Sequence, residues 1–157
     1  MSKSVLQIYL SYSQICVFLS SLTDPFNNWS DRNFTQGFSW REGSVSFRAL
    51  IDEGEHTVNL FINESVPDID HNVVRAFKVP FETLDGNIEV ASISDSVPFK
   101  VVPGMYSLQV EFIQFTNAEM PEVNIRLNKG DTDFVVLKAD EDLNLEDEMD
   151  LEAVPAT

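Results

Sequence analysis

Met105-Tyr106-Ser107-Leu108-Gln109-Val110-Glu111-Phe112-Ile113-Gln114-Phe115 is the stretch that decides the fold class of this 157-residue chain. Tyr106, Leu108, Val110 and Phe112 recur every second position, with Ser107, Gln109 and Glu111 between them. A strand sends alternate side chains to opposite faces, so this spacing predicts one apolar face and one polar face. Working outward, the same period recurs. Upstream it runs through Ile88–Ile93, Val73–Val79, Val58-Leu60-Ile62 and Val45-Phe47-Ala49, back to Leu6-Ile8-Leu10-Tyr12 with a second apolar run at Ile15–Leu19. Downstream it returns at Val123–Leu127 and Phe134–Leu137. Asp85-Gly86-Asn87, Pro103-Gly104 and Lys129-Gly130-Asp131 supply turn chemistry between runs. Eight or nine short strands with turns at this spacing predict an all-β fold. We expect a single-domain antiparallel β-sandwich or a partly open barrel.

One segment departs from the alternation. Within residues 24–43, DPFNNWSDRNFTQGFSWREG, the spacing predicts one short helix near residues 30–37. Ser30 is its expected N-cap, Asp31 sits at the positive helix end, and Gly37 supplies the left-handed stop. Trp29, Phe34, Phe38 and Trp40 crowd the same segment. They read either as a cap over an open end of the core or, Trp40 especially, as a partner-facing anchor.

The formal charge is −16, from 26 acids against 10 bases scattered singly along the sequence. Phosphate contacts need clustered Lys or Arg, so direct nucleic-acid binding is not expected. A field of this sign favours encounter with basic proteins. The charge is unevenly placed: residues 131–157 carry ten acids and one lysine. The expected organisation is a β-sandwich domain over residues 1–137 and an acidic C-terminal tail over 138–157. Leu145 and Met149, one helical turn apart, would allow a short amphipathic helix in that tail. The tail reads three ways: a solvated extension, a strip of carboxylates lying in a partner's basic cleft, or a segment that docks on its own body or buffers metal.

Catalytic groupings are not expected. His56 and His71 stand alone, the single cysteine, Cys16, lies in an apolar run, and neither a phosphate loop nor a calcium-loop spacing is found. The sequence therefore predicts no enzyme, no cofactor and no specific metal site. Residues 1–22 have polar interruptions at Gln7, Ser11, Ser13 and Gln14 that a signal-peptide core would not tolerate, so we expect a cytoplasmic chain. No run approaches the roughly 18 apolar residues of a membrane helix.

Ser11-Tyr12-Ser13-Gln14, Trp29-Ser30, Gly37-Phe38, Gly43-Ser44-Val45-Ser46-Phe47 and Pro103-Gly104-Met105-Tyr106-Ser107-Leu108 together resemble the competence protein J family of DNA-entry nuclease inhibitors. The likeness runs over roughly residues 6–115 and rests on order and spacing rather than on one motif. Ser13 stands where a His is expected between Tyr12 and Gln14, and the long acidic tail is not part of the family pattern. The resemblance implies a nuclease inhibitor or immunity protein that blocks a basic DNA-degrading enzyme or toxin through a protein–protein complex. The expected contact residues are Asp140, Glu141, Asp142, Glu146, Asp147 and Glu148, with Trp40, Arg41 and Glu42 after the helix. The alternative is a non-catalytic β-sandwich module that binds carbohydrate or another surface ligand through Trp29 and Trp40. An exposed coplanar pair of indoles would mark it.

Overall fold

The computed structural model describes residues 2–116 and 119–156. Among the described residues eleven strands form two facing sheets, with one short helix. The strands are β1 (Ser2–Leu10), β2 (Gln14–Leu19), β3 (Phe38–Arg41), β4 (Ser44–Arg48), β5 (Gly54–Ile62), β6 (Val73–Thr83), β7 (Asn87–Ala91), β8 (Ser96–Lys100), β9 (Gly104–Ile113), β10 (Glu122–Lys129) and β11 (Val135–Lys138). The helix α1 spans Asp31–Gln36. One sheet has the order β1-β5-β10-β9-β6-β11 and the other β3-β4-β2-β7-β8. The expected sandwich is what forms. Every pair is antiparallel except β5–β10, which is parallel; β6 to β9 make the long connection that a parallel pair needs.

Tyr106, Leu108, Val110 and Phe112 lie fully inside, opposite Phe77, Val79 and Phe81 of β6 and Val123, Ile125 and Leu127 of β10. Tyr106 donates its hydroxyl to the Val102 carbonyl four residues upstream, so the one polar atom in the set is satisfied. Ile15, Val17, Val45, Phe47, Ile88 and Val90 complete the core from the second sheet. Gln109 and Glu111 face outward but are covered: Glu111 is 3% exposed and accepts from Gln109, Asn124 and Arg126, whose guanidinium lies over Phe61.

Two strands escaped the alternation argument. β3 is four residues long and sits inside the aromatic insert, and β8 carries Pro98 on a sheet edge, where a missing N–H is tolerated. The helix matches expectation: Ser30 and Asn33 form a reciprocal capping box and Gly37, at φ 98°, ends the helix. A Cβ at Gly37 would stand 2.6 Å from the Phe77 ring, so any side chain there both strains the backbone and collides with the core.

Tyr12 does not continue the inward face of β1. The chain reverses at Tyr12-Ser13, both at positive φ (55° and 58°), and passes from one sheet to the other. Such two-residue turns favour Asn-Gly, and a residue with a Cβ pays about 1 kcal/mol or more for each left-handed position. Ser13 is held there by its backbone bonds to Asp52 and Ala49 and by its hydroxyl on Asp52. Tyr12 makes no such contact and is 77% exposed.

Candidate partner-binding surface

Beyond β11 the chain runs along the open flank of the sandwich, past α1 and the edge strand β3. Its described residues form no helix and are irregular apart from an antiparallel bridge between Pro155 and Asn27; Leu143, Met149 and Leu151 pack on the core while Leu145 stays exposed. The helical spacing at Leu145 and Met149 loses to body contacts, because a helix that short has little stability of its own. Asn144 N–H donates to the Thr35 carbonyl and Ala153 N–H to Trp40. Asn28 N–H donates to Val154 and Ala156 N–H to Phe26. Gln36, fully buried, donates to the Asp150 carbonyl and accepts from its N–H.

Three arginines hold this segment. Arg75 is 1% exposed and grips Asp140 with two parallel bonds of 3.0 and 2.8 Å, while its remaining nitrogen donates to the Arg48 and Ala49 carbonyls. Arg32 donates to the carbonyls of Asn144, Asp147 and Glu148. Arg48 donates to the carbonyls of Phe34 and Asp142. Arg32 and Arg48 bond to main-chain oxygens of the loop rather than to its carboxylates. Glu141, Asp142, Glu146, Asp147 and Glu148 are all exposed. Asp142 alone among them comes near a cation, 3.8 Å from Arg75.

Of the residues expected at the interface, the structure therefore brings these five into one exposed acidic loop and turns the sixth, Asp140, inward as its anchor. Trp40, Arg41 and Glu42 sit apart from it on the β3–β4 hairpin. Trp40 is half-buried, donates to the Pro80 carbonyl and meets Phe134 edge-on at 4.9 Å. Arg41 donates to Asn27 and to the Asp24 carbonyl, and burial lowers its pKa against the pull of Asp24. Glu42 is exposed. Trp29 is also half-buried, with its indole N–H on Gln14, and lines a different groove from Trp40. The two indoles thus do not make one coplanar platform.

Sequence reasoning missed Arg32, Arg48 and Arg75. Arg75 left a signal: it shares the inward parity of Val73, Phe77 and Val79, and a charge on that face requires a partner. The histidines stand apart from this surface. His56 is 2% exposed with Nδ1 2.8 Å from the Gly54 carbonyl, and His71 is exposed beside Asp70. Cys16 is fully buried, which pushes its thiol up to about 12 and leaves it protonated. Among the described residues no group of His, Cys, Asp and Glu is arranged to hold a metal ion.

The family model for competence protein J (ComJ) matches residues 7–132. The chain belongs to that family. A DNA-entry nuclease inhibitor of Bacillus subtilis (strain 168) is 28% identical over 109 residues, covering 65% of this chain and 76% of the relative. The crystal structure of ComJ from Bacillus subtilis, described as an inhibitor of the DNA-degrading activity of NucA, superposes with a TM-score of 0.71 at 21% identity, over 81% of this chain and 96% of that one. A chain described as crocagin biosynthetic gene J superposes at 0.57 with 18% identity, over 82% and 99%. The ComJ match ends at residue 132, so the acidic loop lies outside it, whereas the Tyr12-Ser13 turn, α1 and the three arginines that hold the loop lie within it.

Proposed function

We propose that this chain is a nuclease inhibitor or immunity protein that binds a basic DNA-degrading enzyme and occludes its active-site cleft without itself catalysing a reaction. The family match over residues 7–132 carries the reading, since the curated relative is named as an inhibitor of a DNA-entry nuclease. The acidic loop supports it. Glu141, Asp142, Glu146, Asp147 and Glu148 project from a backbone already fixed by Arg32 and Arg48, so little order is lost when they meet lysines and arginines placed for phosphates. Glu42 on the β3–β4 hairpin extends the same sign of charge.

The test is direct. A DNA-entry nuclease of the kind that the Bacillus subtilis relative is named as inhibiting is mixed with the purified chain, and DNA digestion is followed together with complex formation on size exclusion. Protection with a stable complex is expected. Undiminished digestion with no complex overturns the reading.

A further inference from the structure

A groove of about 240 Å³ lies between the Tyr12-Ser13 turn and α1, lined by Tyr12, Ser13, Gln14, Trp29, Phe34 and Arg48. Tyr12 is 77% and Phe34 49% exposed, large apolar surface that the fold does not use. Arg48 stacks on Phe34 with its guanidinium carbon 3.7 Å from the ring centroid, and the two carbonyls it donates to hold it there. Trp29 is oriented by Gln14. The walls are thus two fixed rings, one stacked guanidinium and one freely presented tyrosine, the residue types that dominate binding energy at interface centres. The volume is below the roughly 300 Å³ where small-molecule pockets begin and suits one inserted side chain.

The surroundings state the partner's charge. Asp52 and Glu53 border the groove on the turn side, where a second hollow is shared with Ser11, Tyr12 and Ser13. On the other side Asp142 of the acidic loop adjoins it, its carbonyl accepting from the lining Arg48. An apolar hollow with carboxylates on both sides fits a segment with one apolar side chain flanked by lysines or arginines.

We propose that this groove is the anchor of the inhibitory interface: a loop of the basic nuclease inserts an aromatic or branched aliphatic side chain between Tyr12, Trp29 and Phe34 while its flanking cations meet Asp52, Glu53 and Asp142. The proposal rests on the inhibitor reading and adds where the partner is gripped. It also explains a tyrosine at a left-handed position where asparagine would cost less.

Tyr12→Asn tests it without threatening the fold, because the side chain is largely exposed and asparagine accepts the turn. Its melting temperature is expected to equal or exceed the parent's. Its affinity for the same nuclease, measured by calorimetry and by protection of DNA, is expected to fall about tenfold or more. Phe34→Ala is expected to weaken binding similarly, and Leu84→Ala, at a site 82% exposed on the 84–87 turn, to leave it unchanged. Affinity within about twofold of the parent for Tyr12→Asn and Phe34→Ala overturns the anchor while the inhibitor reading stands. A parent chain that neither binds nor protects overturns both.

Discussion

At the scale of single residues, His56 shows how burial becomes a pH response. It is 2% exposed in β5, and desolvation pushes its pKa below the ordinary 6.5, against smaller opposing effects from the Gly54 carbonyl and Glu55. On acidification the unfolded chain therefore takes up a proton that the native chain refuses, and stability falls as pH drops through about 6.5. Denaturant midpoints measured from about pH 7.5 to about pH 5.5 should decline, and His56→Gln should flatten that decline. An NMR titration placing the His56 pKa above 6.5 would contradict the account. Legibility at this scale was uneven. Ser30 and Gly37 were readable because capping chemistry is local in sequence. Tyr12 was not, because alternation continues it smoothly from Leu10 and only the tertiary turn throws it out to solvent. Arg32, Arg48 and Arg75 are scattered along the sequence and meet only in space, so no spacing argument could assemble them.

Among the elements, the docked acidic segment is both a candidate contact and a structural seam, and the two roles need different variants. Removing residues 139–157 takes away Leu143, Met149 and Leu151 and strips the buried Arg75 of Asp140. A loss of about 4 kcal/mol is expected, together with a red shift of Trp40 emission as its edge of the sandwich opens. Weak inhibition by such a truncation would therefore say little about contact. Glu146→Gln, Asp147→Asn and Glu148→Gln leave the backbone bonds to Arg32 in place. The triple variant should keep the parent's stability to within about 0.5 kcal/mol and bind the nuclease more weakly, chiefly through slower association. Unaltered binding kinetics would remove the loop from the interface. Strand identity was readable wherever an apolar run stood clear of its neighbours, and failed at β3, four residues inside the aromatic insert, and at β8, five residues with Pro98 at their centre. Docking of the tail stood as one of three readings and could not be singled out, since its composition reads as solvated and its anchors lie about 65 to 115 residues away along the chain.

For the whole molecule, charge and topology make separate statements. A net charge of −16 predicts that association with a basic enzyme slows steeply between about 0.05 and 0.5 M salt, while dissociation changes little. Stopped-flow mixing across that range gives the slope, and a flat response would argue for contact without steering. The single parallel pair has a consequence of another kind. β5 is flanked by β1, made before it, and by β10, made some sixty residues later. As the chain leaves the ribosome in order, one side of β5 stays bare until β10 emerges. The sheet thus cannot close progressively from one end but must admit a late strand into its middle, between β5 and β9. Until then the nascent chain carries an open, apolar strand edge of the kind that chaperones cover and aggregates recruit.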